Sequence, residues 1–159
     1  MSFDKAKAYL TAKGFQDRIM TFTVSSATVE LAAEAVGTEP ARIAKSLTFK
    51  VSGAPVMIVC AGDAKVNNSK FKAVFHEKAS MLSRDEVGTL IGHEAGGVCP
   101  FGIEPGVRVF LDESMKRFDI IYPACGDAAS AVRLTPDELA DLCPGSEWTD
   151  VCVLPKPVA

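Results

Sequence analysis

The segment from Ile43 to Val51 alternates as a half-buried strand must, and one residue breaks the pattern. Ile43, Leu47, Phe49 and Val51 share one face, while Ala44, Ser46, Thr48 and Lys50 take the other. Lys45 falls on the apolar face, between Ile43 and Leu47. An ammonium turned toward a core needs an anion, a ligand or a route back to water, because burying an unpaired charge is expensive. Such a lysine either serves a site or snorkels to solvent from a strand end near the rim. Any fold for this chain has to solve that placement.

With 159 residues, 48% of them hydrophobic and 23% charged, the chain has the length and apolar content for one domain over residues 1–159 with its own core. A net charge of −3 argues against a protein held on nucleic acid by bulk electrostatics, and no DNA partner is expected. It leaves room for a local patch that grips the end of an RNA strand. Met1 to Gly14 carries Asp4, Lys5, Lys7 and Lys13 with no uninterrupted apolar stretch, so no signal peptide is read there. No run reaches the ~18 apolar residues of a membrane span. The five cysteines, Cys60, Cys99, Cys125, Cys143 and Cys152, are odd in number and form no C-x-x-C pair. These features predict a reduced, soluble, cytoplasmic protein without metal, cofactor or membrane contact.

Local signals mix helix and strand without a clean β-α-β alternation, which favours α+β over a doubly wound sheet. Ser2 is placed to cap a helix that Gly14 stops, and Asp17 to Val24 suggests a short strand. Ser25 or Ser26 is placed to cap a second helix that Gly37 ends, with a turn at Thr38-Glu39-Pro40. Val56 to Ala61 is apolar enough for a fully buried strand closed by Gly62-Asp63. Asn67 or Asn68 caps a helix through Phe75, and Ala79 to Leu82 suggests another strand. Ser83 to Glu86 and Thr135 to Glu138 are capping-box patterns, the first for a helix ending at Gly92. Strands are expected at Val107 to Leu111, Phe118 to Tyr122 and Ala131 to Leu134. A last edge strand at Val151 to Leu154 would be blunted by Pro155 and Pro157. The succession predicts a curved or barrel-like sheet with helices outside it.

A second informative segment runs from Gly92 to Gly102, with four glycines and a proline in Gly92-His93-Glu94-Ala95-Gly96-Gly97-Val98-Cys99-Pro100-Phe101-Gly102. Permissive and stiff residues together set the path of such a loop, which can aim backbone N–H groups at a carbonyl oxygen or phosphate. It matches neither GxxxxGK[ST] nor GxGxxG.

Together, Ile43-Ala44-Lys45-Ser46-Leu47 and Gly96-Gly97-Val98-Cys99-Pro100-Phe101-Gly102 resemble the YbaK/ProX family of aminoacyl-tRNA deacylases. These are free-standing relatives of the editing domain inserted in bacterial prolyl-tRNA synthetases. The resemblance runs from about Ser25 to about Leu142. It includes the helix Ser25 to Gly37, the turn Ala61-Gly62-Asp63, the strand ending at Asp112, and Gly126. It implies a single α+β domain with a mostly antiparallel, barrel-like sheet flanked by helices, and hydrolysis of the ester joining a wrong amino acid to the 3′ end of a tRNA. Lys45 matches the family's functional lysine. Gly96, Gly97, Val98, Cys99, Pro100, Phe101 and Gly102 match the loop that shapes the amino-acid pocket.

Other reactive residues have to be weighed. Cys99 with His93 would make a Cys-His hydrolase, but no third orienting residue is evident and a small buried thiol is the simpler account. Ser46 follows Lys45 on the opposite strand face, which disfavours a Ser-Lys dyad; in this family the residue after the lysine varies between subgroups. Asp112 ends an apolar strand, where it either caps the next turn or reaches the site. Ser46 and Asp112 join the loop as candidate substrate-binding residues. His76 reads as a surface residue. Lys65, Lys70 and Lys72 read as a solvated face before an RNA contact, and Trp148 as packing before a stacking platform.

The expectation is therefore a trans-editing hydrolase acting on the 3′ acceptor end of a misacylated tRNA. Alanine or cysteine on tRNA for proline is the leading substrate by resemblance, and prolyl-tRNA synthetase a possible partner. The alternative is a non-catalytic module that binds aminoacyl-tRNA ends or the synthetase.

Overall fold

The computed structural model describes residues 2–155. Its first helix, α1 (Ser2–Ala12), buries Ala6 and Leu10, and Gly14 at φ +83° turns the chain away after it. Ser2 is the first helical residue rather than a cap, and its hydroxyl donates to Gly126 O. Strand β1 (Ile19–Thr21) occupies only the middle of the expected Asp17 to Val24 segment, after a 3-10 turn at Gln16–Arg18. Helix α2 (Val29–Val36) is capped by Thr28, whose side chain accepts from Leu31 N–H, and Gly37 closes it at φ +84°. The cap is neither Ser25 nor Ser26, and the Ser26 hydroxyl is engaged instead with the backbone of Ser130.

Strand β2 (Ile43–Val51) has the expected bounds. It turns back through Ser52 and Gly53, both at positive φ, into β3 (Ala54–Ala61). That is the backbone a two-residue hairpin turn demands. After β3 come β4 (Lys65–Val66) and α3 (Asn68–Phe75), the latter capped by Asn67. The Ser83–Glu86 capping box opens α4 (Arg84–Glu86), which continues as a π-helical turn to Ile91 and stops at Gly92. The chain continues through β5 (Arg108–Asp112), β6 (Tyr122–Pro123) and β7 (Ser130–Val132). It ends in α5 (Pro136–Leu142) with its Thr135 capping box, β8 (Glu147–Thr149) and β9 (Cys152–Val153). The expected contribution of Pro157 lies outside the described residues.

The α+β fold is as expected: a five-stranded sheet in the order β6-β2-β3-β5-β8 curls into a half-barrel, with ribbons β1·β7 and β4·β9 and the helices around it. Strand direction differs from expectation within that central sheet. Only β2·β3 is antiparallel there; β6·β2, β3·β5 and β5·β8 are parallel. Parallel neighbours need long crossovers, and the chain supplies them: 62–107 carries α3 and α4, and 113–146 carries α5. The long β2·β3 ladder and both flanking ribbons remain antiparallel. The segment from Ala79 to Leu82 forms no strand. It meets β2 at one bridge, Phe49 to Met81, with Lys50 N–H donating to Ser80 O and Leu82 N–H to Thr48 O.

The core includes Phe49, Phe71, Phe75 and Phe110, whose successive ring centroids lie 5.0, 4.6 and 4.9 Å apart. Phe71 is wholly buried at the centre of this chain of rings. Phe71→Ala removes a ring from a close-packed site and is expected to cost about 3–5 kcal/mol of stability, read as a lowered urea midpoint at unchanged slope.

Candidate active site

The ladder between β2 and β6 stops early. Its register is Ile43 with Tyr122 and Ala44 with Pro123, and beyond that the two strands part. Further along the same edge of β2, Thr48 O and Lys50 N–H are taken by the 80–82 segment. Ser46 stands two residues before Thr48 in an unbroken register with β3, so its N–H and C=O point to that edge as well. Among the described residues no strand meets them. A cleft of about 310 Å³ opens at this gap, lined by Ile43 to Leu47, the start of α2, Gly96 and Val98, Tyr122 and Ala124, and Ser130 and Ala131. The walls are mostly small side chains, and the volume is at the lower end of the ~300–1,000 Å³ of small-molecule sites.

Lys45 lines this cleft. Its Nζ donates to Gly62 O at 3.2 Å and to Ala64 O at 2.5 Å, the two carbonyls that flank Asp63 in the turn after β3. The cost of partial burial is thus met by neutral dipoles rather than by a carboxylate. An ammonium has three N–H donors, and this arrangement commits two of them. The Asp63 carboxylate is gripped instead by Arg117, at 3.1 and 2.6 Å. That guanidinium, with a smaller contribution from Lys45, holds the Asp63 carboxyl below the usual carboxylate range.

Ser46 also lines the cleft, although it follows Lys45 on the strand. The expectation that neighbours on a strand cannot share a site holds for a sheet face; this cleft wraps the strand edge, where both faces reach it. The Ser46 Oγ is buried and has no hydrogen-bond partner among the described residues, so no Ser-Lys dyad is formed.

The glycine loop divides in two. Gly96 and Val98 face the cleft. At Gly97 a Cβ would collide with the backbone of Asp127, and its own N–H is spent on Glu94 O at 3.0 Å, so it is not a free oxyanion donor. Cys99 and Phe101 are wholly buried. Pro100 and Gly102 line a separate groove of about 500 Å³ with Tyr9 and the 142–147 loop. Asp112 is also placed elsewhere, in a third recess with Lys70 and Arg117. Its Oδ2 accepts from Ser114 N–H and its Oδ1 from Val151 N–H, both at 2.9 Å, which makes it a cap. Lys70 is paired with Asp150 at 2.9 Å, and Trp148 lies in β8 beneath the Lys116 ammonium. Sequence reasoning missed Thr28, Tyr122 and Ser130 as cleft residues. Thr28 carried a signal, as a possible helix cap; the others are brought in only by strand order.

The Cys-His reading meets a buried, unreactive pair. The Cys99 Sγ lies 3.5 Å from His93 Nε2, but that nitrogen faces Phe101 O at 2.6 Å, which assigns it the proton. Burial pushes the Cys99 thiol far up and the His93 imidazole down, so neither the thiolate nor the imidazolium is favoured. His93 Nδ1 is buried without a partner among the described residues, so a proton there would lack an acceptor. Because the folded state disfavours protonated His93, its contribution to stability is full above the ordinary histidine value of 6.5 and is lost as pH falls from there toward the folded pKa. We expect the urea midpoint to drop over that interval in wild type and to drop less in His93→Gln, whose amide can still donate to Phe101 O. Parallel profiles for the two proteins would contradict this.

The family described as the aminoacyl-tRNA editing domain matches residues 23–142. The uncharacterized protein YwhH of Bacillus subtilis is 47% identical over 153 residues, covering 96% of this chain and 98% of that protein. Proline–tRNA ligase of Bacillus licheniformis is 33% identical over 95 residues, which span 59% of this chain but 17% of the ligase. The solved structure of a proposed trans-editing enzyme for prolyl tRNA synthetase superposes with a TM-score of 0.85 at 27% identity, covering 98% of each chain. On these matches the chain belongs to the aminoacyl-tRNA editing domain family.

Proposed function

We propose that the cleft hydrolyses the ester of a misacylated tRNA carrying a small amino acid. The observation that carries this reading is Lys45, tethered by two carbonyls in a cleft walled by small side chains. An aminoacyl ester is already activated, so water, or the neighbouring ribose hydroxyl as a relay, suffices as nucleophile when held near the carbonyl. The attacking oxygen bonds to the acyl carbon, the ester C–O bond breaks, and the ribose 3′ oxygen leaves with a proton. With the relay, the acyl group passes to the ribose 2′ oxygen and water then releases it. Either route gives free amino acid and uncharged tRNA.

Lys45 supplies the remaining N–H to the developing oxyanion or to the terminal phosphate or ribose. Gly96, Val98 and Ser46 line the space beside it, and the remaining loop residues, Gly97, Cys99, Pro100, Phe101 and Gly102, fix its path. Asp112 acts on the site only indirectly. Discrimination is steric: a cleft this small rejects bulk, whereas attraction to one methylene gives only ~1–3 kcal/mol. Alanine or cysteine on tRNA for proline is the leading substrate, supported by the likeness to proline–tRNA ligases and to the trans-editing neighbour. The same likeness supports prolyl-tRNA synthetase as a partner and the cytoplasm, where charged tRNA is used, as the location.

The test is deacylation of tRNA for proline charged with alanine, cysteine, serine or proline. We expect one misacylated species to be cleared with proline spared, and Lys45→Ala to be slower by about 100-fold or more, the cost of one oxyanion donor. No turnover of any species by folded wild type, with tRNA still bound, would replace the enzyme with a binding module.

A further inference from the structure

We infer that Arg117 is a positioning residue for Lys45, acting through Asp63; the inference rests on the deacylase reading above. The two carbonyls that hold Lys45 belong to Gly62 and Ala64, so they converge on one nitrogen only while the turn between them keeps its shape. Asp63 is the residue in the middle. Its carboxylate is held in a two-pronged grip by Arg117, at 3.1 and 2.6 Å. Arg117 is itself anchored, with Nε donating to Ser114 O at 2.8 Å and its guanidinium over the Phe118 ring at 4.7 Å. Ser114 in turn accepts from Ala61 N–H, immediately before the turn, and its own N–H is capped by Asp112. A continuous set of hydrogen bonds therefore runs from Asp112 through Ser114, Arg117 and Asp63 to the turn whose carbonyls hold Lys45.

This arrangement does two things. It fixes the acceptors, which sets where Nζ sits. It also keeps occupied the anion that adjoins Lys45 in the turn. Asp63 is close enough for Lys45 to influence its ionisation, yet it makes no ion pair with it. A carboxylate freed from Arg117 would be drawn to the neighbouring ammonium and would consume the N–H that a substrate needs. Arg117 thus keeps Lys45 available as well as placed. The fork geometry of a guanidinium suits both oxygens at once, which a lysine cannot do.

The experiment uses Arg117→Ala, Asp63→Asn and the double variant, each checked for folding by thermal melting. In deacylation of the substrate that wild type clears, Arg117→Ala should lower kcat by at least about tenfold, within the ~100-fold that misplacement of a reacting group can cost. KM for tRNA should stay within about threefold, because Arg117 is not assigned a tRNA contact. The double variant should recover at least about threefold of the lost kcat, since an amide does not capture Lys45 as a carboxylate does. A simple structural brace predicts the opposite, with the double variant no better than Arg117→Ala, and that result overturns the inference. So does an unchanged kcat in Arg117→Ala.

A second readout is independent of turnover. The Lys45 side-chain ¹⁵Nζ resonance, assigned by its loss in Lys45→Ala, should move in Arg117→Ala and return toward wild type in the double variant. If wild type clears no substrate, this resonance alone decides: movement and return keep the positioning role while the deacylase reading falls, and a stationary resonance removes both. Should Arg117→Ala not fold, Arg117→Lys takes its place, with a partial kcat loss expected and full activity overturning the inference.

Discussion

The antiparallel ladder of β2 on β3 is the constraint from which the site follows. Lys45 stands opposite Cys60, so the chain leaving β3 turns within four residues and brings Gly62 and Ala64 back to the lysine. Pairs such as Leu47 with Ile58 and Phe49 with Val56 hold that register through apolar contact. A slip of one residue would send Lys45 to the other face and part it from both acceptors. The hairpin therefore fixes strand order, the depth of the lysine and the source of its partners together. Satisfying an ammonium with carbonyls leaves its full charge uncancelled, whereas a carboxylate partner would neutralise it.

Much of this hairpin was legible from residue order. The bounds of β2 follow from period-two alternation, and β3 from an unbroken apolar run. Asn67, Ser83 and Thr135 announce their helices because each cap is a contact across three residues. Where a residue serves a distant partner, local reasoning fails. Ser26 looks like a helix cap, but its hydroxyl bonds the backbone of Ser130, 104 residues away. Phe118 to Tyr122 has strand composition, yet Asp119 accepts from Ile120 N–H and from Arg42, which turns the chain; Ile121 makes a single bridge to Leu134, and the named strand is Tyr122–Pro123. The parallel directions within the central sheet have no local signal at all, since they depend on which side each crossover takes.

The site divides in the same way. Lys45 declares itself because it violates a pattern, and the glycine loop because of its composition. What composition does not reveal is that the loop has two sides, with Gly96 and Val98 at the cleft and Cys99 and Phe101 in the core. Nor does it reveal that the cleft lies at the end of a ladder rather than on a sheet face, which is why Ser46 joins Lys45. Asp63 and Arg117 are separated by 54 residues, and nothing in either neighbourhood advertises the other. Asp112 was visible as a strand-ending acid with two possible roles; both of its oxygens are used as caps.

Helix α1 lies before the segment matched to the family, yet it abuts the glycines that shape the loop. Lys5 Nζ donates to Gly92 O at 3.0 Å, a Cβ on Gly102 would come within 2.7 Å of Lys5 O, and the Ser2 hydroxyl donates to Gly126 O. The Lys5 and Ser2 hydrogen bonds span 87 and 124 residues of chain. Closing loops of that size is costly before any contact rewards it, and such contacts form slowly. Helix α1 therefore docks only after partners 87 and 124 residues further along the chain are in place. The loop beside the lysine takes its final path only then, so the cleft is among the last parts of the molecule to acquire its shape.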